Sequence, residues 1–186
     1  MLVMIKHARP LVDPARPGHQ WRLSEQGRAD AGRLAEALRP RGIARVYSSD
    51  EPKAQETADV LAGALGVPVI VADNLHEHDR SNVPHMRSGE FISHMELFFR
   101  RRSERVLGLE SADECLHRFA AAVGALEPGS AGETIAVVSH GTVIALYLAS
   151  LGAGKPFELW RRMGLPSYAV IDRAAATGVQ IVDKIS

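Results

Sequence analysis

What most constrains this chain is a repeated two-part pattern, in which a short apolar run precedes a segment with apolar residues at helical spacing. Residues 2–5 (LVMI) show no polar alternation, as expected of a strand covered on both faces. A loop holding Pro10, Pro14, Pro17 and Gly18 follows. Residues 23–40 then place apolar or small residues at Ala29, Leu34, Ala37 and Leu38, as in an amphipathic helix with Ser24 as cap and Pro40 as stop. The pattern recurs as a strand over 43–47, a helix over 51–65 ended by Gly66, and a strand over 67–71. Strands alternating with helices predict an α/β fold with three layers: a mostly parallel central sheet flanked by helices.

Between residues 74 and 108 the periodicity weakens and charge rises, with one helix expected in 87–106 and a basic end at Arg100, Arg101, Arg102 and Arg105. This reads as a lid-type insertion over the sheet. Residues 111–126 are helical again, 134–138 form the most convincing buried strand, and 142–151 form the helix after it. Strands near 168–172 and 179–182 finish the sheet. At 186 residues the whole chain is expected to be one domain.

Composition removes several classes of function. Lys plus Arg equals Asp plus Glu at 22, so no global field gathers polyanions, and nucleic acid is not an expected partner. The single cysteine, Cys115, cannot form an internal disulfide, and no CxxC accompanies the 8 histidines, which fits a reducing cytoplasm. The opening MLVMIKHARP has its basic residues after its apolar ones, the reverse of a signal peptide. The apolar stretch 133–152 approaches bilayer length, but Ser139, His140 and Gly141 interrupt it; it reads as strand, turn, helix, and no membrane partner is expected.

Chemistry collects at strand ends, where a parallel sheet builds its ligand crevice. His7 and His140 each follow an apolar strand directly. Alone, each is equally well read as a buried histidine satisfied by backbone. Residues 46–62 add a third strand end, paired serines and a helix with Lys53 in its first turn, where free N–H groups and the macrodipole favour an anion. Glu77, between His76 and His78, follows a fourth. Two imidazoles, two lysines (Lys6, Lys53), an arginine (Arg9) and a carboxylate suit phosphoryl transfer, where positioning and charge neutralisation do most of the catalysis.

With these residues in view, the chain resembles the histidine phosphatase superfamily, the phosphoglycerate-mutase-like proteins, over nearly its whole length. KHARP is similar to the family's Arg-His-Gly motif, WRLSEQGRADAGRLAEAL to its lead into the first helix, and YSSDEPKAQETA to its second phosphate-contacting motif. LHEH is similar to the acid-bearing Leu-x-Glu, LESADECLHRF to the Glu-Ser-x-x-Asp helix, and VVSHGTVI to the second-histidine motif. The resemblance implies a phosphoglycerate mutase-like fold and a metal-independent phosphatase acting on a small phosphoester, with no cofactor. It implies that His7 attacks phosphorus and becomes phosphohistidine, His140 binds phosphoryl oxygens, and Glu77 protonates the leaving oxygen. Acid work needs a carboxyl group that is partly protonated, which burial under the insertion is expected to achieve. Lys6, Lys53, Arg9 and Gly141 complete the expected phosphate-binding set.

The chain departs from the family in having lysine, not arginine, at Lys6 and Lys53, and Ala8 for the motif's glycine. Lysine is a compact point charge where arginine offers a bidentate fork. There are 18 arginines and only 4 lysines (Lys6, Lys53, Lys155, Lys184), and a shuffle of identities would put lysine at both positions roughly 3% of the time, which points to a matched pair. Arg9 and Arg80 are candidates to restore a guanidinium; the plainer reading of each is a solvated surface arginine. His76 and His78 form an H-x-H pair that, with His140, gives a remote metal-hydrolase reading; no metal is expected. His19, His85, His94 and His117 read as surface or insertion residues, and the Arg100 to Arg105 cluster as a solvated helix end. Met86, Met95, Phe91, Phe98 and Phe99 read as packing, and Ser139 as positioning the His140 loop. The rival functions are a mutase-type phosphotransferase and a catalytically silent phosphate-binding protein. A monomer or homodimer is expected.

Overall fold

The structure, a computed structural model, describes residues 1–126, 132–172 and 179–183; Lys184 lies outside the described residues. Six strands form one sheet in the order β3-β2-β4-β1-β5-β6. They are β1 (Leu2–Lys6), β2 (Ile43–Ser48), β3 (Val69–Val71), β4 (Thr134–Ser139), β5 (Ser167–Ile171) and β6 (Val179–Val182). The first four by position, β3, β2, β4 and β1, run parallel, while β5 and β6 add antiparallel to the β1 side.

The apolar run in β1 has the cause expected of it. Val3 and Ile5 face a core shared with α1 (Glu25–Leu38) and α2 (Pro52–Leu65), while Leu2 and Met4 face the opposite core. That second core takes in α3 (Ser88–Arg100), α4 (Ala112–Ala125), α5 (Gly141–Ser150) and α6 (Pro156–Arg162). Ser24 caps α1 by accepting from Gly27 N–H, and Ser111 and Glu114 form a reciprocal capping box on α4. Helix α5 is buried nearly all round, as its uniformly apolar sequence requires.

The structure departs from the sequence expectations at two elements. Helix α6 was not anticipated: it is seven residues long, too short for a periodic signal, and its Phe157 and Trp160 stack on one another. Strand β3 has only three residues with Ile70 and Val71 exposed, because it closes the sheet edge. Within residues 74–108, α3 buries Met95, Phe98 and Phe99 in the second core. The basic cluster past α3 is tied down by ion pairs from Arg102 to Asp113 (2.9 Å) and Arg105 to Glu114 (2.6 Å).

Candidate active site

The site follows from sheet register. Lys6 pairs with Ser139 and Ser48 with Val138, so His7, Ser49 and His140 leave the sheet at one level. The chain from β1 crosses to β2 on the α1–α2 face, and that from β4 crosses to β5 with α5 and α6 on the other. A crevice opens where the two directions part. The ladder extends one residue past the strand ends, with His7 N–H donating to the Ser139 carbonyl (2.9 Å) and Ser49 N–H to the Val138 carbonyl (3.0 Å). The two imidazole centroids are 5.2 Å apart.

His7 is 7% exposed, and its Nδ1 lies 2.7 Å from the Ala8 carbonyl oxygen. A carbonyl only accepts, so the proton sits on Nδ1 and the lone pair on Nε2. Burial, reinforced by the charges of His140 and Lys53, holds the His7 pKa well below its ordinary value. Ala8 N–H donates to Thr57 Oγ1 (3.0 Å), whose hydroxyl donates to the Lys53 carbonyl (2.7 Å), fixing this turn against α2.

His140, fully buried, has Nε2 at 2.9 Å from Ser49 Oγ and 3.4 Å from Glu51 Oε1; among the described residues its Nδ1 has no partner. Burial and the Lys53 charge lower its pKa well below normal, so the Glu51 contact involves a neutral ring rather than an ion pair. Ser139 Oγ donates to the Leu75 carbonyl at 2.7 Å, joining β4 to the loop that carries Glu77.

Glu77 accepts from His78 N–H (2.8 Å) and from Thr142 N–H (3.2 Å) in the first turn of α5, with Arg80 at 3.8 Å. Burial alone would raise its pKa, but the Arg80 charge first, with the His78 N–H among the further causes, outweighs it and brings it to about 2. The expectation that burial keeps Glu77 partly protonated is therefore corrected: the loop and α5 supply more positive potential than burial removes.

Lys6 donates to the Met163 carbonyl (2.9 Å) and runs against Gly141. Burial pulls its pKa down, and Glu77 partly opposes this. Lys53, 6% exposed, donates to the Gly18 carbonyl (2.7 Å) and to the Glu51 carboxylate. Lys6, His7, Glu51, Lys53, Glu77 and Arg80 all line one cavity of about 640 Å³. Phe91 and Trp160 wall it, with the Arg80 guanidinium 5.3 Å over the Phe91 ring. His19, read from sequence as a surface or insertion residue, is exposed and sits on this cavity's wall.

The remaining expected residues divide: His76 and His78 line the same cavity, and Arg9 does not. Arg9 is exposed and lines a different cavity with Gln26 and Arg33 on the α1 side, because the chain turns outward after His7. His78 stacks on Phe98 (4.3 Å), accepts from Arg80 and donates to the Glu110 carbonyl. Burial, then Arg80, lowers its pKa to about 4. His76 donates from Nδ1 to the Glu77 carbonyl. Among the described residues no three His, Cys, Asp or Glu side chains converge as a metal-binding group, and no helix is long and apolar enough to cross a membrane.

Sequence reasoning missed Glu51, 6% exposed. The available signal was an acidic residue two positions before Lys53 at a helix start already read as anion-binding. Arg118 was missed as well. It donates to the Asn74, His76 and Glu77 carbonyls and pairs with Glu110 at 2.6 Å, clamping the Glu77 loop to α4.

Residues 11–180 match the family model of the histidine phosphatase superfamily (branch 1). The chain is similar to a probable phosphatase of Schizosaccharomyces pombe, 30% identical over 137 residues, covering 69% of this chain and 47% of that protein. It is also similar to a probable phosphoglycerate mutase of Klebsiella pneumoniae, 28% identical over 153 residues, covering 79% of this chain and 66% of that protein. The matches thus span about half to two thirds of these relatives' length. Among solved structures, a mycobacterial glucosyl-3-phosphoglycerate phosphatase superposes with a TM-score of 0.72 at 25% identity, over 90% of this chain and 87% of that one. A Bacillus stearothermophilus protein reaches 0.73 at 20% identity over 99% and 96%, a likeness of fold.

Proposed function

Because the chain belongs to the histidine phosphatase superfamily, branch 1, we propose that it is a metal-independent phosphatase hydrolysing a small phosphoester through phosphohistidine at His7. The observation that carries this is the His7–Ala8 hydrogen bond, which presents a neutral imidazole with its Nε2 lone pair available for attack. In the first step Nε2 bonds to phosphorus, the bond to the leaving oxygen breaks, and that oxygen takes a proton. In the second, a water oxygen attacks phosphorus, the N–P bond breaks, and the water's proton passes to Glu77.

Glu77 starts as a carboxylate, so its proton in the first step arrives with the substrate. A phosphoryl group with a second pKa of about 6 carries one for part of the time near neutrality. Its negative charge beside Glu77 also raises that carboxyl's pKa. Lys6, Lys53 and Arg80 supply the cations. When the Ser49 hydroxyl donates to His140 Nε2, the imidazole carries N–H at Nδ1, a buried donor for a phosphoryl oxygen. A mutase must shield phosphohistidine from water. Here exposed His19 and Asp50 border the cavity, which favours hydrolysis.

The test is hydrolysis of an aryl phosphate in chelator, with an acid-labile, alkali-stable phosphoenzyme that His7→Ala removes. Glu77→Gln should slow alkyl phosphates at least about tenfold more than aryl ones, whose leaving groups need less protonation. Activity that requires added zinc, or a phosphoenzyme surviving in His7→Ala, would overturn the reading.

A further inference from the structure

Lys53 is not a bare cation. An ammonium has three N–H donors, and here one meets the Glu51 carboxylate and another the Gly18 carbonyl. Glu51's other oxygen accepts from Glu77 N–H at 2.8 Å and stands 3.4 Å from His140 Nε2. A buried carboxylate thus touches a phosphate-binding lysine, the backbone of the proton carrier and the second histidine at once. The cavity as a whole repeats this balance. Lys6, Lys53 and Arg80 face four carboxylates, those of Asp50, Glu51, Glu77 and Asp79. For a site meant to hold a phosphoryl group this is little positive charge.

We propose that Glu51 is a specificity-determining residue: it caps the negative charge the phosphoryl site accepts, favouring a singly charged, protonated phosphoryl group over the dianion. This rests on the phosphatase reading above. Coulomb energy is linear in ligand charge, so a fixed carboxylate opposes a dianion twice as strongly as a monoanion of the same shape. Lys53 keeps its third N–H for a phosphoryl oxygen, so a bound ligand shares the ammonium with Glu51 and lies close to that carboxylate's charge. The protonated phosphoryl group so selected brings the proton that ionised Glu77 lacks.

Two isosteric probes isolate charge: methylphosphonate, largely dianionic at pH 8, and methanesulfonate, a monoanion. Calorimetric titration should show Glu51→Gln tightening methylphosphonate about tenfold or more, and methanesulfonate only about threefold, the square root expected for half the charge. Glu51→Asp, which keeps the charge but withdraws it by one methylene, should move methylphosphonate in the same direction by a smaller factor and covers the case of a misfolded Gln variant. Equal gains for both probes, no gain, or weaker binding would overturn the proposal; weaker binding would make Glu51 a support for Lys53. If wild type and variants bind neither probe, the phosphatase reading falls with it, whereas binding by wild type with no Glu51 effect overturns this inference alone.

Discussion

At Gly141 an added Cβ would lie 3.2 Å from Lys6 Cε and 3.4 Å from Lys6 Nζ. The obstructing atoms are the end of the Lys6 side chain and, at 3.4 Å, Trp160 Cδ1, all side chain rather than backbone, so the fold can yield by a few tenths of an ångström at the cost of moving the ammonium. Gly141→Ala should therefore weaken vanadate binding about tenfold or more while changing stability by less than about 1 kcal/mol. Vanadate titration beside urea unfolding checks this, and parallel losses in both would refute it. Lys6 and Lys53 stood out in the sequence because lysine is scarce here. Their tethers to Met163, Gly18 and Glu51 did not, since those partners come together only when three strand ends and the first loop meet.

At the scale of elements, the Glu77 loop is held from outside the sheet. Arg118, on α4, donates to three carbonyls of that loop (Asn74, His76 and Glu77) and to Glu110, and both side chains are mostly buried. Replacing it by Met leaves Glu110 unpaired and the loop unclamped, at a loss of about 2–4 kcal/mol of stability. Because the loop carries Glu77 and Arg80, whereas Lys6 and Lys53 are held elsewhere, kcat should fall at least about tenfold and vanadate affinity by a clearly smaller factor. A fall in affinity matching the fall in kcat would mean that the clamp organises the whole cavity. A related fit seats α1, where a Cβ on Gly27 would come within 2.1 Å of the Arg9 carbonyl oxygen. The helix itself was legible from its cap and spacing; the requirement for glycine within it was not, because the atom that forbids a side chain lies 18 positions earlier.

Across the whole molecule, the site ties stability to pH through three buried histidines. His7, His78 and His140 all have folded-state pKa values lowered chiefly by burial, His78 to about 4. Unfolded, each takes a proton near pH 6.5, so this stability is fully present above that pH and is lost as pH falls toward the folded values. Three such groups give a slope approaching about 4 kcal/mol per pH unit, so urea unfolding should show roughly 4 kcal/mol less stability at pH 5.5 than at pH 7.5. A flat profile would show that the imidazoles are not held neutral. The positions of the strand ends, the two histidines and both lysines were legible in the sequence, because unbroken apolar runs and helix spacing are local properties. His7 and His140 directly follow strands, Lys6 ends one, Lys53 lies in the first turn of a helix, and Glu77 follows β3 by six residues. Only the tertiary structure decided the partner of each. That Lys53 is paired with Glu51, that Glu77 is ionised despite burial, and that Arg80 enters the cavity while Arg9 leaves it are outcomes of distance and potential. These depend on how strands distant along the chain lie side by side, which no local pattern encodes.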